Sequence, residues 1–396
     1  MRARILIVAG SLTAWACSDA VAPESPGTFS AVAAGFEHTC GLTQDGEAYC
    51  WGRNSESELG AALTDPQYRV PQRVSTLLRF IQIDAGYFHS CGLATDGAAY
   101  CWGKNFVGAL GVDTAADSDA PIPVDGGLRF KAIALGYLHT CGLTEAGVAY
   151  CWGDNTYKQL GRDTAATSAR TPVAVAGGHT FSTLSAGSNF TCGIESDGAA
   201  YCWGWNVAGM LGSGDTALAI PIPVAVAGGL KFKAIAGGTL HACGVATNGE
   251  LYCWGMSDWG VLGIGPSIGD HRTPERVVTD RRYTAVSLGA THSCALDLDG
   301  ALACWGLNDT GQLAATTHGK CIVGSGPDYI PCTLAPIAAA PRHYFHTLTA
   351  GEQHTCAVGF DGAAFCWGKN NEGQIGSGSL EQTTAAPARV PDPTTP

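Results

Sequence analysis

Cysteine gives this chain its widest choice of chemistry. It supplies 17 of 396 residues, and a thiolate can attack an electrophile, ligate a metal or oxidise to a disulfide. Sixteen of the cysteines fall into eight close pairs: Cys40 with Cys50, Cys91 with Cys101, Cys141 with Cys151, Cys192 with Cys202, Cys243 with Cys253, Cys294 with Cys304, Cys321 with Cys332 and Cys356 with Cys366. Cys17 is left alone. A tetrahedral metal site needs four ligands, and two thiolates per pair fall short, so disulfides are expected. Histidine recurs two residues before the first cysteine of a pair, as His38, His89, His139, His241, His292 and His354, with Phe190 in that place once. Six imidazoles invite a metal. They stand one repeat apart, however, and one His per repeat at the same strand start is expected to be structural, satisfied by a neighbouring turn. There is no phosphate loop or His-Glu-x-x-His. Asp297-Leu298-Asp299-Gly300 begins like a calcium loop but lacks the remaining ligands. No catalytic residue, metal or cofactor is expected.

The elements that carry these residues are repeats. Seven segments align on His-Thr-Cys-Gly-Leu, then Asp-Gly, then Tyr-Cys-Trp-Gly, with first cysteines spaced 51, 50, 51, 51, 51 and 62 residues apart. Each segment holds four short runs of strand character, typified by Arg73-Val74, Phe80–Ile83, His89–Leu93 and Ala99–Trp102. The 54 glycines and only 14% charged residues suit many short strands joined by tight turns. A small sheet with two apolar faces must bury both, and a closed ring supplies two neighbours to every sheet. The expected fold is all-β: a seven-bladed β-propeller of four-stranded antiparallel blades over residues 29–390, with one cross-strand disulfide per blade. The first repeat begins at Phe29 without the Pro-x-x-Val run that precedes the others, and the chain ends on Pro387-Ala388-Arg389-Val390. The C-terminal strand is therefore expected to complete the first blade.

Register follows from the turn. With Gln44-Asp45-Gly46 as a three-residue loop, Thr43 faces Glu47, Leu42 faces Ala48, Gly41 faces Tyr49 and Cys40 faces Cys50 as a non-hydrogen-bonded pair. Such pairs bring Cα atoms to about 4.5 Å, within disulfide reach. Each bond closes a short loop and should contribute at most roughly 2–3 kcal/mol. The tryptophans that follow the second cysteine, Trp51, Trp102, Trp152, Trp203, Trp254, Trp305 and Trp367, are expected to pack between blades.

Alternating strands also create two unlike ends. The loops before His and after Trp-Gly emerge at one, carrying Phe36, Tyr87, Phe88, Phe106, Tyr137, Tyr157, Trp205 and Trp259. The Asp-Gly turns, mainly polar and acidic, emerge at the other. Aromatics at loop positions that vary between blades are better explained by a partner than by the repeat, so these eight are the expected binding residues. Residues 314–340 form an insertion whose own pair, Cys321 and Cys332, should staple a protruding loop that extends this surface or covers the blade edge.

Residues 1–17 read as an export signal: Arg2 and Arg4, then an apolar run from Ile5 to Ala16, too short for a permanent span. Leu12-Thr13-Ala14-Trp15-Ala16-Cys17 resembles a bacterial lipoprotein signal, in which the cysteine is lipidated; Ala14 stands where that signal prefers Leu, and Ala14-Trp15-Ala16 equally suits ordinary cleavage before Cys17. The unpaired Cys17 favours lipidation. Residues 18–28 would be a tether and 391–396 a tail. The protein is expected in the cell envelope, anchored by a lipid, or secreted, and as a monomer. Its formal charge of −12 repels phosphate backbones, so nucleic acid is not an expected partner.

One repeat shows the family likeness in full: Ala350-Gly351, His354-Thr355-Cys356, Asp361-Gly362, Trp367-Gly368-Lys369-Asn370 and Gly373-Gln374-Ile375-Gly376. The pattern resembles the regulator of chromosome condensation repeat family and covers residues 29–390. The resemblance implies a propeller. For function it implies either nucleotide exchange on a GTPase with chromatin docking, as in the eukaryotic founder, or protein binding, as in bacterial secreted members that cover β-lactamases with one face. An acidic, exported, disulfide-bonded chain fits the second. The expectation is a non-enzymatic scaffold that binds a protein or glycan, with an exchange factor-like regulator or an envelope enzyme acting on polysaccharide as alternatives.

Overall fold

The computed structural model describes residues 28–267, 269–317, 319–322 and 329–393. The expected export signal, Cys17 and the expected tether up to residue 27 lie outside them, as do residues 323–328 of the insertion and 394–396 of the expected tail. Seven antiparallel sheets form the expected propeller, six of them four-stranded and the sixth in order five-stranded. In blade one the strands run Phe29–Ala34, His38–Thr43, Ala48–Arg53 and Gln67–Arg73, from the channel outward.

The central hairpin has the register read from the sequence: Leu42 faces Ala48, Gly41 faces Tyr49 and Cys40 faces Cys50. Gly46, at φ 82°, makes the turn that a Cβ would strain. The Cys40 and Cys50 Cα atoms are 4.0 Å apart, and the two residues are joined as a disulfide. The other six blades repeat the bond, from Cys91 to Cys101, Cys141 to Cys151, Cys192 to Cys202, Cys243 to Cys253, Cys294 to Cys304 and Cys356 to Cys366. In every blade the two cysteines sit directly opposite each other, as Cys192 does Cys202, Cys243 does Cys253, Cys294 does Cys304 and Cys356 does Cys366.

The expected ring closure is not what forms. The C-terminal strand, Thr383–Arg389, pairs with Ala364–Lys369 of blade seven, and blade one is completed by its own Gln67–Arg73. The Pro-x-x-Val run thus ends a blade instead of opening the next. The physical reason is local: after Trp-Gly the loop returns the chain beside the strand it has just left, so Cys101 pairs with Ile122 in the same blade. Proline is tolerated on this outermost edge, where its missing N–H faces no ladder, and a bulge marks the crossing.

Side chains close the ring. Each tryptophan is fully buried and donates its indole N–H to a carbonyl in the loop between the third and fourth strands of the preceding blade: Trp102 to Glu58 at 2.8 Å, and across the closure Trp51 to Gln374 at 3.0 Å. The seam between blades seven and one repeats the other seams, with Phe29 N–H also bonded to the Gly362 carbonyl at 2.9 Å. That bond puts Thr28 beside the Asp-Gly turn of blade seven. Val390, whose N–H bonds the Ala364 carbonyl, leaves the body at the same end.

The insertion builds on blade six. Tyr329–Ala339 takes the place of the fourth strand, and Gly319–Ile322 adds a fifth outside it. The pairing of Leu307 with Cys332 runs the hairpin beyond the blade at the aromatic end, and the bond from Cys321 to Cys332 crosses its two strands.

Candidate binding site at the channel mouth

The repeat histidines belong to the seams between blades. Each is fully buried, and each Nε2 meets a hydroxyl of the next blade: His38 with Ser90 at 2.8 Å, His89 with Thr140 at 2.9 Å, His139 with Thr191 at 3.0 Å, His241 with Ser293 at 2.9 Å, His292 with Thr355 at 2.8 Å and His354 with Thr39 at 2.9 Å. The hydroxyl in turn donates to the same carbonyl that receives the tryptophan, as Ser90 does to Glu58 at 2.9 Å. Its proton is committed there, so the imidazole must carry its proton on Nε2 and donate it. Burial lowers each imidazole from 6.5 to about 3, which keeps it neutral. The partner is thus a hydroxyl one blade on, not a neighbouring turn. Among the described residues no three His, Cys, Asp or Glu side chains are grouped to hold a metal.

The innermost strands line a central channel of about 340 Å³. Among the described residues that line it, Asp84 is the one carboxylate, and its two oxygens accept the N–H of Ala85 and of Leu135 in the next blade, both at 2.9 Å. Burial raises Asp84 to about 6. Thr349, Ser185 and Ser287 occupy the same place in other blades and accept the N–H of Ala34, Gly237 and Ala350. These are seam contacts within the channel wall.

At the aromatic end the channel opens into a cavity of about 100 Å³. Its rim is built from one position in each blade, the residue after the Gly that ends the inner strand: Phe36, Tyr87, Tyr137, Ser188, Thr239, Ala290 and Glu352. The glycine is required because a Cβ at Gly35 would meet the Gly86 carbonyl of the next blade at 2.6 Å. Backbone bonds tie the rim together, Tyr87 N–H to Tyr137 O at 3.2 Å and Ala290 N–H to Glu352 O at 3.0 Å among them.

Half of the eight expected binding residues meet here. Phe36 stacks on Tyr87 with centroids 3.8 Å apart, Tyr87 meets Tyr137 edge-on at 4.9 Å, and Phe88 lies 4.0 Å from Tyr87. All four are half-buried. The other four do not join them. Tyr157, on the loop after the third strand of blade three, and Trp205, the last residue of that strand in blade four, pair at 4.8 Å. Phe106 is exposed on blade two. Trp259 packs onto the buried cluster of blades five and six, and its neighbour Gly260 lies against the Thr333 carbonyl of the insertion strand.

A charged chain borders the aromatic cluster and was missed in the sequence. Lys369 Nζ pairs with Glu37 at 2.9 Å and lies 3.8 Å from Glu352; Arg53 lies 3.6 Å from Glu37 and 3.4 Å from Glu58, with its guanidinium 4.6 Å over the Phe88 ring. Glu58 is fully buried, and burial raises both Glu58 and Glu352 to about 7. Aligning the seven residues that follow the inner-strand Gly would have shown Glu352 in the column of Phe36 and Tyr87. The Asp-Gly end is also less polar than expected, since Leu298, Phe360 and Tyr344 stand exposed there.

A seven-bladed ring of disulfide-bonded four-stranded blades, open at a rim that varies while its seams repeat, defines a repeat propeller. The chain belongs to the regulator of chromosome condensation (RCC1) repeat family: the family's repeat profile matches residues 29–58, 80–109, 130–159, 181–209, 232–258, 283–312 and 345–374. It is 30% identical over 352 residues to the ultraviolet-B receptor UVR8 of Arabidopsis thaliana, covering 88% of this chain and 66% of the receptor. It is 32% identical over 295 residues to the E3 ubiquitin-protein ligase HERC2 of Homo sapiens, covering 72% of this chain and 5% of the ligase. The chain therefore spans less than two thirds of either relative. Among solved structures it resembles Prp20p from Saccharomyces cerevisiae, with a TM-score of 0.76, 21% identity, and coverage of 93% of this chain and 88% of that one. That likeness concerns the fold; the work on Prp20p describes its binding to Gsp1p and histones.

Proposed function

We propose that this protein is a non-enzymatic, exported scaffold that binds a protein or glycan at the aromatic end of the propeller. The observation that carries the reading is the stacked Phe36–Tyr87–Tyr137 cluster. It occupies rim positions that blades four to six fill with Ser, Thr and Ala, so the repeat itself does not demand it. Rigid, half-buried rings supply contact area at low entropic cost, as hot-spot residues do. Export is supported by eight disulfides, a number that a reducing compartment would not maintain, and by the signal-like residues 1–17. Lipidation of Cys17 would anchor the scaffold in the envelope.

The test is capture from the envelope and medium of the producing cell, with wild type against Phe36→Ala/Tyr87→Ala. A ligand held by wild type and lost by the variant supports the reading. Equal capture by both, with the variant folded, overturns it and shifts attention to the insertion hairpin and to Phe360 and Leu298. Faster nucleotide release from a GTPase on adding the protein would favour the exchange-factor alternative.

A further inference from the structure

We propose that the channel mouth seats one cationic side chain, the Lys or Arg of a protein partner, between the Phe36–Tyr87–Tyr137 rings and the carboxylate of Glu352. The inference rests on the scaffold reading and adds to it the chemistry of the ligand.

Three observations converge on it. Glu352 Oε2 is buried and accepts no hydrogen bond. The cation near it, Lys369, is 3.8 Å away and hydrogen-bonded instead to Glu37 at 2.9 Å. The Glu352 side chain is 20% exposed, and a small turn of its carboxyl toward the cavity would let an arriving N–H supply the donor that Oε2 lacks.

The second is the ring cluster. Phe36 and Tyr137 line the same cavity as Glu352, and the faces of such rings attract a cation within about 6 Å of their centroids. Arg53 over Phe88 shows the same chemistry already in use one step outward. The Tyr137 hydroxyl, 3.2 Å from Thr239 Oγ1, spans the cavity and narrows it, which suits one unbranched side chain better than a sugar ring.

The third is charge. Glu37, Glu58 and Glu352 lie around the mouth beside Arg53 and Lys369, and because burial holds Glu58 and Glu352 at about 7 an arriving cation would favour their charged forms. The whole chain carries −12, so a basic partner is steered toward it.

The probes are capped tetrapeptides of neutral residues holding a single Arg, Lys, citrulline or norleucine, titrated into the full oxidised protein by calorimetry and by ligand-observed nuclear magnetic resonance. Arg and Lys peptides should bind about tenfold or more tighter than citrulline and norleucine peptides. Glu352→Gln, close to isosteric, should abolish that discrimination, and Glu352→Asp should restore part of it. Equal affinity for Arg and citrulline peptides, or discrimination unchanged in Glu352→Gln, overturns the proposal. So does a neutral oligosaccharide bound alike by wild type and Glu352→Gln. If Glu352→Gln still captures the natural ligand that Phe36→Ala/Tyr87→Ala loses, the cation inference fails and the scaffold reading stands. If neither variant affects capture, the scaffold reading itself fails.

Discussion

Phe190 of blade four and Ala242 of blade five share one buried apolar cluster, in the two places that an imidazole and a hydroxyl hold at each of the other six seams. The exchange is paired. A buried imidazole N–H without its hydroxyl would be an unmet donor, whereas replacing both partners with apolar groups is nearly neutral. The indole bond of this seam, Trp254 to the Met210 carbonyl at 2.8 Å, persists.

Phe190→His alone should therefore destabilise the protein by about 1–3 kcal/mol, and adding Ala242→Thr should recover part of the loss. Urea unfolding of the oxidised single and double variants measures this. A coupling below about 0.5 kcal/mol would mean that the two positions are independent.

The buried histidines also set a pH dependence. The unfolded chain takes up protons below 6.5, whereas the folded imidazoles remain neutral to about 3, so their contribution to stability falls as pH drops from 6.5 toward 3. Copying the apolar seam elsewhere, with His89→Phe/Thr140→Ala, should flatten the acid slope by at most about 1.4 kcal/mol per pH unit. Glu58, Glu352 and Asp84 act in the opposite sense, since their raised values favour the fold at low pH and that gain is lost as pH rises toward 6 or 7. Comparing each variant with wild type at every pH cancels these carboxylates.

Asp84→Ala should unpair the N–H groups of Ala85 and Leu135. The expected cost is about 1–3 kcal/mol for each group left unmet. Amide exchange localises it: Leu135 should lose protection while the outer strand Ser168–Ala174 of its blade keeps it.

Alkylation of the native protein without reductant should leave all sixteen paired cysteines unmodified, the second members Cys202, Cys253, Cys304 and Cys366 as much as the first. Free pairs throughout would contradict export. Replacing Cys141 and Cys151 together by Ala should cost roughly 2–3 kcal/mol at most, since the loop they close is short.

The blade hairpin was legible because its register is set locally, by turn length and the alternation of facing pairs; Cys40 opposite Cys50 follows from Asp45-Gly46 alone. The phase of the fourth strand was not. Val70-Pro71-Gln72-Arg73-Val74 lies between Trp-Gly and the next Phe, and only the path of the loop decides that it pairs backward to Ala48–Arg53. The aromatic rim was half legible. Residue type marked Phe36, Tyr87 and Tyr137, but nothing in the type of Trp259 distinguishes a rim residue from one packed beneath an insertion. Glu352 carries no signal in its type, because acidic residues are common at turns throughout the chain; only its column in the repeat places it among the rim aromatics.

Thr28 and Val390 leave the body at the Asp-Gly end, as the Phe29–Gly362 and Val390–Ala364 bonds require. A support attached ahead of Thr28 or beyond Val390 would join the propeller at the end opposite the mouth. Immobilising the protein by either terminus should therefore leave the aromatic rim accessible to a partner in a surface-binding assay on a chip.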